Sequence, residues 1–268
     1  MRELWTRSHR SIVSLTFENA DGRISSGSGF KVGEFLITNN HVIQVPSARR
    51  IVIGSVNDDA HSTALKIEFG HLEFRTLMVE GDPEDGWDYA ILRIPRPEFQ
   101  ALPSLELAED EDFEVGDQIA IFGYQFEQVH LSMHVGYLAS QYHRAGVHYL
   151  QLDSSVNHGN SGGPLIDVRT GRVRGIRTRK ATGLTRQFDA LLQSFQQNIA
   201  QLQAMQQGGV RASVAGLDPV AAMLATQGQM QRIAKELGRS ANVGIGYAYH
   251  ISKVRECLIQ RARGVGEQ

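Results

Sequence analysis

The chain has 268 residues, 41% of them hydrophobic, ample for a sizeable core in an all-β domain of this length. Twenty-seven basic residues against 29 acidic ones leave a formal charge of -2, with no basic stripe and no acidic tail, which points away from nucleic acid as a partner. A single cysteine, Cys257, excludes an intrachain disulfide, and the charged start (Arg2, Glu3, Arg7, Arg10) lacks the long apolar run of a signal peptide or membrane span, so no membrane partner and a cytoplasmic location are expected.

In chain order, residues 11–17 alternate and predict a strand, followed by a turn at Asp21-Gly22. Further strands are predicted at 28–32 and 35–43 around Gly33, then at 50–55, 63–69, 72–79 and 88–94, with a loop at 81–86. Short strands separated by turn signals suggest an all-β barrel or sandwich. Residues 1–98 are assigned to a first barrel. Residues 95–116, with Pro95, Pro97, Pro103 and the acidic run 109–112, read as a linker with a solvated loop. Strands at 118–123, 129–140, 147–153, 163–168 and 172–179 supply a second barrel within 99–180.

Residues 181–241 change the period. Phe188, Leu191, Leu192, Phe195, Ile199, Leu202 and Met205 recur at helical spacing, and Gly208-Gly209 stops the run. Asp218-Pro219 then opens a second run through Val220, Met223, Leu224, Met230, Ile233 and Leu237, ended by Gly238. Two such runs joined by a glycine loop predict a helical hairpin. Residues 242–268 return to a strand at 243–250 and a terminal helix at 251–263, with Ile251, Val254 and Leu258 on one face.

The chemistry centres on His158-Gly159-Asn160-Ser161-Gly162-Gly163-Pro164-Leu165. Glycines around a serine suit a tight turn with backbone close to a ligand, although such loops are common. Upstream, Leu36–Ile43 carries His41 behind an apolar stretch, and Trp87–Ile94 places Asp88 directly before a buried-type strand. Asp85 is a rival acid in mid-loop. A serine is a weak nucleophile until a base and an orienting acid reach it, and histidine titrates near neutral pH. The order His41, Asp88, Ser161 is that of a chymotrypsin-type triad. Taken singly, His41 reads as a satisfied strand-end histidine and Asp88 as a turn residue. The remaining histidines show no metal-ligand spacing, no phosphate-binding loop occurs, and no cofactor is implied.

With the phrases "GSGFKVGEFLITNNHVI", "WDYAILRI", "EVGDQIAIFGYQF", "QLDSSVNHGNSGGPL" and "GRVRGIRT" in order between about residues 10 and 180, and "GIGYAYHISKV" near the end, the chain resembles the trypsin-like serine proteases, above all the protease domain of the HtrA/Deg group. The resemblance implies two antiparallel β-barrels of the chymotrypsin type, a triad of His41, Asp88 and Ser161, an oxyanion hole from the backbone N–H groups of Gly159 and Ser161, and cleavage of protein or peptide substrates by acyl transfer. It places Ser155 at the base of the primary pocket, with Arg177 and Thr178 on the strand beside the substrate. No acid stands at Ser155, so a basic preference is not expected, and the family implies small or aliphatic side chains there. Arg177, Arg179 and Lys180 depart from the family, and either select acidic neighbours or face solvent. Asn160 stands where zymogens carry an aspartate, so no propeptide cleavage is expected. The helical hairpin replaces a short pocket-lining loop; residues 183–240 are a candidate surface for a regulatory protein or a second copy. The resemblance stops short of a PDZ domain. The competing reading is a catalytically silent regulatory module on a protease scaffold.

Overall fold

The computed structural model describes residues 1–57, 62–109, 112–124, 130–154, 160–178, 183–207, 218–240 and 245–264. It opens with a helix that strand periodicity does not announce, α1 (Arg2–Ser8), whose Trp5 stacks on Phe122 with ring centroids 5.9 Å apart. In β1 (Ile12–Asn19) the alternation Val13, Leu15, Phe17 turns one face into the core. β2 (Ile24–Val32) and β3 (Phe35–Thr38) follow. A one-turn helix, α2 (Asn40–Ile43), separates them from β4 (Ala48–Val56) and β5 (Thr63–Gly70). Helix α3 (His71–Thr76) then leads into β6 (Met78–Asp82) and β7 (Tyr89–Arg93). These strands form one antiparallel sheet in the order β5-β4-β1-β2-β3-β7-β6.

Two stretches that read as single strands are divided. Within 72–79 the chain makes α3 and only then β6. The apolar pair that looked like strand alternation splits, Leu72 standing 80% exposed while Phe74 is buried against Phe17 and Phe69. This short helix takes the chain from one edge strand of the sheet to the other. Within 35–43, β3 ends at Thr38 and His41 sits in α2.

The next stretch, expected as a linker, is largely fastened down. Phe99 in α4 (Pro97–Gln100) and, after it, Leu102, Leu105, Ala108 and Phe113 are buried, and Leu107 bridges to Val173. β8 (Gln118–Tyr124), β9 (Leu131–Arg144), β10 (Val147–Asp153), β11 (Pro164–Asp167) and β12 (Val173–Thr178) come next. Helices α5 (Gly183–Gln207) and α6 (Pro219–Ser240) interrupt the strands. Then β13 (Ile245–His250) and α7 (Ser252–Gly264) follow. The six strands close into a barrel in the order β10-β13-β12-β11-β8-β9. Its interior is lined by Ile119, Ile121, Leu138, Leu150, Leu152, Leu165 and Ala248. A separate apolar cluster joins sheet to barrel: Ile12, Phe30, Ile37 and Ile91 from one side, Ala120, Phe122, Ile166 and Ile176 from the other.

Residues Lys180–Val243 form a second compact unit. There α5 and α6 pack on one another, as the two apolar runs predict. Asp218 accepts hydrogen bonds from the N–H groups of Val220 and Ala221 at 2.9 and 3.1 Å, and Pro219 starts the helix, so the cap read from the sequence is in place. The helix runs on past Gly238 to Ser240. Met223, Met230 and Ile233 are exposed, and among the described residues no helix is long and apolar enough to cross a membrane.

Three histidines stack across neighbouring barrel strands, His143 on His148 at 4.1 Å and His148 on His250 at 4.5 Å between ring centroids. Burial, followed by the neighbouring His148, Arg174, Arg255 and His143, lowers the His250 pKa from its ordinary 6.5 to about 4. The ring Nδ1 accepts the Ser252 N–H at 3.2 Å, which suits the neutral imidazole. A depressed histidine pKa means that the unfolded chain takes up a proton which the fold refuses, so stability is present above about pH 6.5 and is lost as pH falls towards about 4. Thermal melts across that window should show wild type losing stability faster than His250→Gln. Parallel curves for the two proteins would show that the stack does not titrate this way.

Candidate active site

Asp88 is the centre around which the site assembles. It precedes β7, it has no exposed surface, and its φ of 45° is one that a non-glycine residue rarely adopts. Two contacts hold that backbone: its N–H donates to the Pro83 carbonyl at 3.1 Å, and its carbonyl accepts the Asn39 side-chain amide at 2.7 Å. The carboxylate is thereby aimed at α2. One oxygen accepts the backbone N–H of His41 at 3.0 Å, and the other lies 2.7 Å from His41 Nδ1. Facing a carboxylate, Nδ1 carries the proton, which leaves the Nε2 lone pair as the free base. Asp85, the rival acid, is exposed on its loop.

A third donor reaches the carboxylate from the barrel. The Thr178 hydroxyl donates to Asp88 Oδ2 at 3.1 Å, and Thr178 is 2% exposed. Thr178 was expected to face a substrate pocket. Its side chain is instead spent on the acid, because strand alternation turns it towards the seam between sheet and barrel.

Ser161 is 8% exposed, in a tight turn just before β11. Its carbonyl accepts the Ser28 N–H at 2.8 Å, and the Ser28 carbonyl accepts the Thr38 hydroxyl at 2.7 Å. The serine segment is therefore bonded to the end of β3, three residues before His41. Gly162 makes that approach possible. Its φ is +86°, and a Cβ there would lie 2.2 Å from both the Ser28 carbonyl and the Thr38 hydroxyl. On the barrel side, Gly162 donates to the Arg177 carbonyl, and the Arg177 N–H donates to the Gly163 carbonyl, both at 2.9 Å. Asn160 is 1% exposed and packs on Gly123, which has no room for a side chain.

Of the other residues singled out in the sequence, Ser155 and Gly159 lie outside the described residues, as do Arg179 and Lys180. Arg177 does not face solvent: it is 1% exposed. The sequence pointed to none of the supports Ser28, Thr38 and Asn39, whose partners are distant in the chain. Among the described residues, no group of three His, Cys, Asp or Glu side chains is placed to hold a metal ion.

Residues 26–176 match the model of the trypsin-like peptidase domain, more than half of the chain, and the chain belongs to that family. It is 27% identical over 179 residues to the serine protease HTRA1A of Danio rerio, covering 63% of this chain and 33% of that protein. It is 31% identical over 167 residues to a probable periplasmic serine endoprotease, DegP-like, of Halomonas elongata, covering 60% of this chain and 31% of that protein. The chain thus matches about a third of the length of these relatives. Among solved structures, Deg5 aligns with a TM-score of 0.54 at 23% identity, over 67% of this chain and 84% of that one. The HtrA-type protease AlgW with a tripeptide aligns with a TM-score of 0.52 at 24% identity, over 66% and 53%. The fold is that of the HtrA-type, chymotrypsin-like proteases.

Two glycines separate strain from crowding. Gly33 has a φ of +56° and open space within 4 Å of where a Cβ would stand, so Gly33→Ala should cost about 1–2 kcal/mol of stability and nothing else. Gly162→Ala adds the clash with Ser28 and Thr38, and should also abolish labelling of Ser161 by a fluorophosphonate. Melting curves and labelling of the two variants check this; normal labelling of Gly162→Ala would mean that the serine turn does not depend on its contact with β3.

Proposed function

We propose that the protein is a serine endopeptidase that hydrolyses peptide bonds of protein substrates through an acyl-enzyme. Ser161 is the nucleophile, His41 the general base and acid, and Asp88 the group that orients the base. The observation that carries this reading is the double grip of one buried carboxylate on both the backbone and the ring of His41. The bonds from Ser161 through Ser28 to Thr38 support it from the other side. Serine-protease relatives support the same class of chemistry.

In this mechanism His41 Nε2 takes the Ser161 hydroxyl proton as Oγ attacks the scissile carbonyl carbon. Asp88 stabilises the imidazolium that forms and remains ionised. The backbone N–H groups of Gly159 and Ser161 are assigned to the developing oxyanion, a role worth about 10²–10³ in turnover for each donor. His41 then gives its proton to the leaving amine, and water releases the acyl group by the same steps in reverse. Thr178 holds Asp88 in place. Asn160 carries no charge for a new N-terminus to neutralise, so the reading requires no propeptide cleavage.

Ser161→Ala, His41→Ala and Asp88→Asn should each lower kcat/KM on a peptide by about 10⁴-fold, and Ser161→Ala combined with His41→Ala should be scarcely worse than either, because the three act as a unit. Circular dichroism should show the Ser161→Ala fold intact. Wild-type turnover by that variant would refute the assignment.

A further inference from the structure

We infer that Arg177 makes this site select substrates with a carboxylate side chain on the residue before the cleaved bond, an inference that rests on the protease reading above. Three features of the structure carry it.

First is position. The backbone of Arg177 is bonded on both sides to Gly162 and Gly163, the two residues after the proposed nucleophile. A substrate carbonyl held for attack lies about 3–3.5 Å from the serine oxygen, so the side chain one bond away falls on the wall behind the serine turn. β12, bonded to that turn through Arg177, borders this place.

Second is direction. Successive strand residues face opposite ways. Thr178 turns to Asp88, and Arg177 turns away from it. In the ladder with β13, Arg177 stands opposite Ala248, which in turn stands opposite Leu150. Ala248 and Leu150 both line the barrel interior. The Arg177 side chain therefore turns to the barrel interior from a backbone bonded to the serine turn, at a register position where the neighbouring strands place leucine and alanine.

Third is company. His134 on β9 pairs with the interior residue Ile121 and is half-buried. Burial, and after it the positive charge of Arg177, lowers the His134 pKa, so the imidazole and the guanidinium share one environment. Burial likewise draws Arg177 itself down to about 9. A carboxylate brought to this place would act on both groups in the opposite direction and would make His134 a second donor. An aliphatic side chain would deepen the desolvation of a guanidinium and give it nothing in return, whereas a carboxylate matches its fork of N–H donors. The small or aliphatic preference implied by the family resemblance is thereby replaced, at this one position, by an acidic one.

Peptidyl diphenyl phosphonates that differ only in a glutamate-like or a valine-like side chain next to phosphorus test the inference. On the full chain, the acidic probe should label Ser161 about 100-fold faster than the aliphatic one, the ratio that accompanies a charged hydrogen bond. Arg177→Leu should reverse that preference, and Arg177→Lys should keep its sense. Cleavage sites in a denatured protein mixture should carry glutamate or aspartate before the cut. If the aliphatic probe labels wild type as fast as the acidic one, the specificity is refuted while the protease reading stands, because Ser161 has still reacted. An unchanged ratio in folded Arg177→Leu removes the role from Arg177. Should that variant not fold, the wild-type ratio and Arg177→Lys decide. If neither probe nor a fluorophosphonate labels Ser161, both readings fall together.

Discussion

A carboxylate with no exposed surface is the constraint that the rest of this structure answers. Taking an ion from water into a protein costs several kcal/mol unless donors replace the lost hydration. Asp88 receives three donors from two elements: the backbone and ring of His41 in α2, and the hydroxyl of Thr178 in β12. Asn39, between β3 and α2, holds the backbone that aims it. No single element could supply this set. The acid is tolerable only when sheet and barrel are already docked, so the same docking that makes the fold also makes the site.

That docking is apolar. Ile12, Phe30, Ile37 and Ile91 meet Ala120, Phe122, Ile166 and Ile176, and the polar groups of the site sit along the edge of this seam. Non-directional burial supplies the adhesion. The directional bonds between Ser161, Ser28 and Thr38 then fix the relative height of the serine and histidine segments. Glycine at 162 keeps the two backbones within bonding distance.

Much of this was legible in the sequence, for identifiable reasons. Strands with one apolar face, such as β1, announce themselves by alternation, and the helix pair by its change of period and its Asp218-Pro219 cap. The three residues of the site stood out because each is flanked by a local pattern: an apolar run before His41, one after Asp88, glycines around Ser161. What escaped depends on partners far along the chain. Asn39 is an ordinary asparagine until Asp88, 49 positions away, is placed beside it. Thr178 looks like a strand residue facing a ligand until the seam is closed. The α3 stretch has strand-like composition, and only the need to cross from β5 to β6 makes it a helix. Of the two alternatives open for Arg177, burial had a signal in the sequence: Val-Arg-Gly-Ile-Arg-Thr lacks the alternation of a half-exposed strand, and all six residues are buried.

The placement of the helix pair between β12 and β13 also bears on how the chain reaches its fold. Thr178 and Tyr247 are paired neighbours in the barrel, yet residues 179–246 separate them along the chain. A short turn would have made this a local hairpin, closing early. With the insertion, closing the barrel becomes a long-range event, and each doubling of the loop costs about 0.6 kcal/mol of closure entropy, so roughly four doublings add on the order of 2–3 kcal/mol. The compact packing of α5 on α6 shortens the effective tether and returns part of that cost before the last strand arrives. Because Thr178 is one of the three donors to Asp88, the step that completes the barrel also comes late in the assembly of the site, and translation through β13, which ends at His250, sets the earliest moment at which a nascent chain can acquire it.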